Sequence, residues 1–285
     1  MPSDLVHLYM RIDHLPQIWC PGCGNGVIMR DVAVAIDELI KDPETNLNRD
    51  DFVIVSGIGC SSRAAGYLDF NSIHTTHGRA IAFATGIKLA NPRLRVIVLT
   101  GDGDCSAIGG NHLIHAARRN LGLTVIAFNN DIYGMTGGQY SPTTPYGEYA
   151  TTAPYGNVDR PFDIAKLAAG AGASFSARGD VYHTRETTDL IKQAILHKGF
   201  ALVDVYSICP TYYSRKNKKG DAVEMLNWQK ENLIPTARYY NMSDTERASK
   251  KLLGILSHDE YPEYTEEYAK VIAEARAAKK NGGAL

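Results

Sequence analysis

Short, almost unbroken apolar runs alternate with amphipathic stretches through the first two-thirds of this chain. Phe52-Val53-Ile54-Val55, Arg95 to Thr100, Leu123 to Phe128 and Ala201 to Ile208 are rich in β-branched residues and show no polar alternation. That pattern predicts strands buried on both faces. Gly78 to Ala90, Asn111 to Arg119, Phe162 to Gly170 and Glu186 to His197 have helical spacing, the first stopped by Asn91-Pro92. Buried strands separated by helices predict an α/β fold, a mostly parallel sheet with helices on both faces. Ligands in such sheets sit beyond the carboxyl ends of the strands.

The pattern lapses in two places. From Asp131 to Pro161 the chain turns to Gly, Pro, Thr and Tyr, and aperiodic length of that kind predicts a covering or binding loop. After Ser214 comes a basic run, Arg215-Lys216-Asn217-Lys218-Lys219-Gly220, and then a small helical C-terminal extension ending in a helix over Glu266 to Lys280. We therefore expect a cofactor-binding domain over 1–214, with a basic linker and the helical extension over 215–285.

Composition narrows the function classes. Of 285 residues, 30 are Lys or Arg against 31 Asp or Glu, which lacks the basic footprint of a nucleic-acid binder. Met1 to Arg11 does not read as a secretory leader, and no apolar run approaches the ~18 residues that would span a bilayer. Five cysteines are too few, and odd in number, for a disulfide framework in so long a chain, so we expect a cytoplasmic protein whose thiols serve a metal.

Two sets of turns carry candidate chemistry. Gly101-Asp102-Gly103 ends one predicted strand, and Asn129-Asn130 ends the next after an intervening helix. Magnesium takes oxygen ligands in an octahedron and is held by few protein groups plus phosphate oxygens. Asp102 can offer a carboxylate, Asn130 a side-chain carbonyl and Ile132 a backbone carbonyl. The bland alternative is an ordinary strand–turn–helix junction; the paired turns together look like a thiamine-diphosphate signature. The spacing of a nicotinamide fingerprint is not met.

The second set is the cysteines. Cys20-Pro21-Gly22-Cys23 forms a C-x-x-C knuckle, while Cys60 and Cys209 each follow a predicted strand. The pair alone could be a redox dithiol, and four thiolates could hold zinc or a [4Fe–4S] cluster. Spacing does not separate zinc from the cluster; the neighbouring thiamine motif favours the cluster, because an electron acceptor has a use there. Cys105 is expected to be a buried small apolar residue.

WCPGCGNG at 19–26, SGIGCSS at 56–62, THGRAIAFATGIKLANP at 76–92, GDGD at 101–104 and NNDIYGMTGGQ at 129–139 together resemble the β subunit of the 2-oxoacid:ferredoxin oxidoreductases, with ICPTY at 208–212 a looser match. The resemblance implies a reaction in which a 2-oxoacid loses CO₂, coenzyme A takes the acyl group, and two electrons leave singly through the cluster to ferredoxin. It implies that Cys20, Cys23, Cys60 and Cys209 hold the cluster, and that Asp102, Asn130 and the Ile132 carbonyl hold Mg²⁺. Ile58, Gly59, Cys60, Ser61, His77 and Gly78 would line the cofactor, with Gly101, Gly103, Asp104, Gly134, Met135 and Thr136 near it. A glutamate from a partner α subunit would activate the cofactor, in a heterodimer or a dimer of heterodimers. TTPYG at 143–147 and CPTY at 209–212 point to 2-oxoglutarate, with pyruvate or broad 2-oxoacid use as the alternative. Rivals of other classes are a zinc-stabilised non-catalytic assembly subunit and a cluster-free thiamine lyase or synthase.

Three further features are weighed from the residues. Arg63 follows the Cys60 turn and could grip a substrate carboxylate, against a structural ion pair. His112 and His115 stand at i, i+3 and are expected to pack as ordinary helix neighbours. The basic run 215–219 could steer an acidic ferredoxin, although a solvated linker is its plainer role.

Overall fold

The computed structural model describes residues 3–280, so the extreme ends of the two expected segments lie outside the described residues. Eight strands form one sheet in the order β2-β1-β3-β4-β8-β7-β10-β9. They are β1 (Phe52–Ser56), β2 (Asn71–His74), β3 (Arg95–Gly101), β4 (Leu123–Asn129), β7 (Phe175–Asp180), β8 (Ala201–Tyr206), β9 (Leu233–Pro235) and β10 (Lys251–His258); β5 (Ile132–Tyr133) and β6 (Gln139–Tyr140) make a separate hairpin. Every pairing in the large sheet is parallel except β10 with β7. The expected α/β fold is what forms.

Side chains on β3 and β4 divide between two cores. Ile97, Leu99, Ile126 and Phe128 face one core with Ile28, Val32 and Ile36 of the helix Asn25–Lys41. Val96, Val98, Val125 and Ala127 face the other, with Ala84 of the helix Ala80–Ala90 and Leu113 of the helix Gly110–Arg118. Helices cover both faces, which is why these strands show no polar alternation.

The register brings the chemistry to one level. Gly101 pairs with Phe128, and Asn129 with Tyr206. The turns after β1, β3, β4 and β8 therefore leave four adjacent strands at the same rim.

The region after Ser214 differs from a linker with a helical tail. Arg215–Asn217 is a helical turn sewn to the covering loop: Tyr149 N donates to Asn217 Oδ1 at 2.6 Å, Asn217 Nδ2 donates to Tyr149 O at 3.0 Å, and Lys219 pairs with Glu148 at 2.7 Å. Helices follow at Ala222–Asn232 and Tyr264–Lys280, and between them the extension adds β9 and β10 to the main sheet. Arg178 on β7 ties this edge together. It is buried, donates to the Leu252 carbonyl at 3.1 Å, pairs with Asp163, and lies 3.8 Å from Asp204. Among the described residues no helix is long and apolar enough to cross a membrane.

Candidate functional site

At the β3–β4 end of the rim, Asp102 is buried, and burial raises its carboxyl above the usual carboxylate range. Its Oδ2 accepts from Ser141 Oγ at 2.5 Å and Thr143 Oγ1 at 2.6 Å, which oppose that rise. Both hydroxyls come from the loop after β6, folded back beneath the turn. The Asn130 side-chain oxygen accepts from Ile132 N at 3.3 Å, which closes the turn that presents the Ile132 backbone. The covering loop thus supports the floor of the site as well as flanking it.

Asp104, expected near the cofactor, also joins the turns around it. Its Oδ1 accepts from Gly78 N at 2.6 Å and Ile58 N at 3.4 Å, and its Oδ2 from Thr100 Oγ1 at 2.8 Å. It therefore clasps two turns, with a Cβ at Gly57 excluded by its carboxylate at 2.0 Å. His77 Nδ1 lies 3.7 Å from Asp104, too far for a hydrogen bond, and has no partner among the described residues. Gly103 lacks a Cβ where one would strike the Tyr133 ring at 2.2 Å, so the glycine there seats an aromatic wall. Ile58 and Met135 are exposed along the rim, while Thr136 Oγ1 is engaged with Gln139 Oε1 at 2.6 Å.

The cysteines gather at the other end of the same rim. Cys23 N donates to Cys20 O at 3.0 Å, closing the knuckle, and Gly24 N donates to Ile208 O at 3.2 Å, fastening it to the end of β8. Trp19 Nε1 donates to the Cys60 carbonyl at 2.5 Å. A Cβ on Gly134 would lie 3.7 Å from Cys60 Sγ and 3.8 Å from Cys209 Sγ, so those two sulfurs converge over one point. Burial pushes the Cys23 thiol up to about 12, and Cys60, Cys209 and Cys20 all add to it. Burial and then Cys209 raise Cys60, and Asp102 contributes, so the sulfurs and the aspartate share one electrostatic environment. Cys20 is exposed at the outer edge. Among the described residues no three His, Cys, Asp or Glu side chains stand close enough to hold a single metal ion.

The remaining candidates divide. Arg63 is exposed with no ion pair among the described residues, and its charge lowers the pKa of His74 after burial. His112 Nε2 accepts from Arg79 Nη1 at 2.7 Å, which is ordinary helix packing. Cys105 is buried and unpaired with any other cysteine. Behind Asn130 and Asp131 lies a cavity of about 890 Å³ whose walls include Glu148, Lys218, Trp228 and Lys251. Both signs of charge face it, so the cavity by itself selects no ligand class. Sequence patterns did not reveal Ser141 or Thr143 as supports of Asp102; the run of hydroxyl residues after the hairpin was the available signal.

Residues 57–205 match the family described as thiamine pyrophosphate enzyme, C-terminal TPP binding domain. The chain is 51% identical to the 2-oxoglutarate synthase subunit KorB of Methanocaldococcus jannaschii over 94% of its own length and 97% of the relative's. It is 46% identical to the β subunit of 2-oxoacid:ferredoxin oxidoreductase 2 of Aeropyrum pernix, over 68% of this chain and 61% of that one. A solved structure of 2-oxoglutarate:ferredoxin oxidoreductase from Magnetococcus marinus, with 2-oxoglutarate, coenzyme A and succinyl-CoA bound, superposes with a TM-score of 0.82. It is 33% identical and covers 100% of this chain and 93% of that one.

Proposed function

Because the chain belongs to the β subunits of the 2-oxoacid:ferredoxin oxidoreductases, we propose that it carries magnesium thiamine diphosphate and a [4Fe–4S] cluster for the oxidative decarboxylation of 2-oxoglutarate. Coenzyme A is the acyl acceptor and ferredoxin the electron carrier, in either direction. The observation that carries this reading is that Cys23, Cys60 and Cys209 share one end of the rim that also presents Asp102 and Asn130, with Cys20 at its outer edge. The choice of 2-oxoglutarate draws its support from the substrate in the names of the M. jannaschii and M. marinus relatives.

The residues present suit both groups. Asp102 is a buried carboxylate without a neighbouring cation, and a divalent ion beside it reverses the cost of that burial. Asp102, Asn130 and the Ile132 carbonyl would hold Mg²⁺, and the buried His77 Nδ1, without a hydrogen-bond partner among the described residues, would be available to the cofactor. When bound, thiamine diphosphate supplies the nucleophilic carbon and electron sink for cleavage beside a 2-oxo group. The exposed rim of Ile58 and Met135 keeps water from the cofactor once a partner subunit covers it, and the free Arg63 guanidinium grips the substrate carboxylate. The Cys60 and Cys209 sulfurs converge and Cys23 shares their environment, and an electron acceptor beside the thiamine site has a use, which supports an iron–sulfur core over zinc. Five free thiols fit a reducing, cytoplasmic setting.

No glutamate stands in the motifs that carry the family resemblance, so we assign activation of the cofactor to the partner subunit. Anaerobically purified complex should contain ~4 iron atoms per chain and reduce ferredoxin with 2-oxoglutarate and coenzyme A. The isolated chain should keep its iron and show no turnover. Zinc in place of iron, or full turnover by the single subunit, would overturn the proposal.

A further inference from the structure

Asn25 opens the helix Asn25–Lys41, two residues after Cys23, and is fully buried. Its Oδ1 accepts from Ser207 Oγ at 3.0 Å. Ser207 cannot drift: it sits at the end of β8, where Ser207 N donates to Asn129 O at 2.7 Å, and a Cβ on Gly24 would come within 2.6 Å of its hydroxyl. With the oxygen end of the amide held, the nitrogen end must point the other way. That nitrogen, Nδ2, is buried and reaches no hydrogen-bond acceptor among the described residues, on a helix start two residues from Cys23 and in a side chain near enough to Cys60 to favour its thiolate form.

A buried amide donor left without an acceptor costs ~1–3 kcal/mol, and an apolar side chain of similar size would avoid that cost. The position makes sense if the acceptor is a sulfur atom of the cluster. We infer that Asn25 Nδ2 donates an N–H···S hydrogen bond to the cluster, to the Cys60 thiolate or an adjoining sulfide, and holds its reduction potential up. The inference rests on the four-thiolate reading above. Reduction adds negative charge to the iron–sulfur core and its ligands, so a fixed donor stabilises the reduced form more than the oxidised form. The same helix start assists: the Asn25 backbone N–H favours the Cys23 thiolate, and the amino end of a 17-residue helix lies against the sulfurs. Asn25 is thereby a positioning residue for electron transfer that makes no contact with the 2-oxoacid.

The test is an EPR-monitored redox titration of the intact anaerobic complex. Asn25→Leu should keep its iron and shift the cluster midpoint downward by the equivalent of a tenfold change in the one-electron equilibrium, ~59 mV. In D₂O the wild type should show an exchangeable deuteron coupled to the cluster by pulsed EPR, and the variant should lack it. If Asn25→Leu does not load iron, Ser207→Ala keeps the donor but frees its anchor, and a smaller downward shift is expected. An unchanged midpoint in an iron-replete variant overturns the inference and leaves the four-thiolate reading standing. A wild-type complex with neither iron nor a cluster signal overturns both.

Discussion

The two halves of the sheet solve burial differently. Across β1, β3 and β4 the interior is filled mainly by apolar side chains, and the polar groups of the candidate site come from the turns at the rim. At β7 and β10 a buried guanidinium, Arg178, stands between Asp163, Asp204 and the Leu252 carbonyl, and Lys251 donates to the Tyr206 hydroxyl. The first half places its polar groups where a ligand can reach them; the second uses them as an internal clamp for the C-terminal extension. Polarity in a buried strand therefore marks chemistry at one edge of this molecule and assembly at the other.

That contrast can be broken from either side. On the rim, Asp102→Ala should lower thiamine diphosphate affinity on the order of 100-fold or more in a calorimetric titration with Mg²⁺, without changing the melting temperature of the cofactor-free chain appreciably. On the clamp, Arg178→Met leaves the fully buried Asp204 without its ion-pair partner and Asp163 with Lys166 alone, and should cost ~3–5 kcal/mol in urea unfolding, while cofactor affinity in the folded fraction stays the same. Equal effects of the two substitutions on both readouts would erase the distinction. Asp31 sharpens it further. Its Oδ1 takes Arg30 Nη1 at 2.6 Å, its Oδ2 is buried without a partner among the described residues, and burial raises its carboxyl to about 7 despite Arg30. A carboxyl raised by folding contributes stability that is fully present below its unfolded value of 3.8 and is lost as pH climbs through about 7. Unfolding free energy should accordingly fall over that window by roughly 2–4 kcal/mol, and Asp31→Asn should flatten the profile and be the more stable form at pH 8.

The smallest expected effect concerns the surface between the halves. The knuckle tip packs against the basic turn's flanks, since a Cβ on Gly22 would touch Ala222 at 2.7 Å and Pro210 at 3.4 Å. Arg215, Lys216 and Lys218, on the segment between those two contacts, are exposed with no ion pair among the described residues. Lys216→Glu with Lys218→Glu should slow ferredoxin reduction several-fold at low ionic strength and hardly at all when salt screens beyond ~8 Å. A flat salt dependence in both proteins removes the steering role.

The same contrast explains what could be read from the sequence. The four apolar strands were legible to within a residue or two, because continuous hydrophobic runs have few other uses, and the turns after them named Asp102, Asn130, Cys60 and Cys209. β7, Phe-Ser-Ala-Arg-Gly-Asp, was invisible: its charge is neutralised only by Asp163 and Asp204, which come from other elements. β10 was hidden by Gly254, at φ +131, and by the bulge between Ile255 and Ser257. The loop over 131–161 was recognisable as a loop, yet nothing in its pattern said that Ser141 and Thr143 turn back to Asp102. Nor did the GDGD pattern show that Asp104 clasps two other turns, because the backbone amides of Ile58 and Gly78 come to it from distant parts of the chain.

The bond from Gly24 to Ile208 joins points far apart in the chain, and an iron core bridging positions 20, 23, 60 and 209 would close the same long loops a second time. Oxygen arriving at exposed Cys20 would then do more than extinguish a redox centre: it would unlatch the amino-terminal segment and return to it the freedom that loop closure had removed. Air-damaged protein should be cut first by proteases ahead of residue 25, long before its sheet gives way.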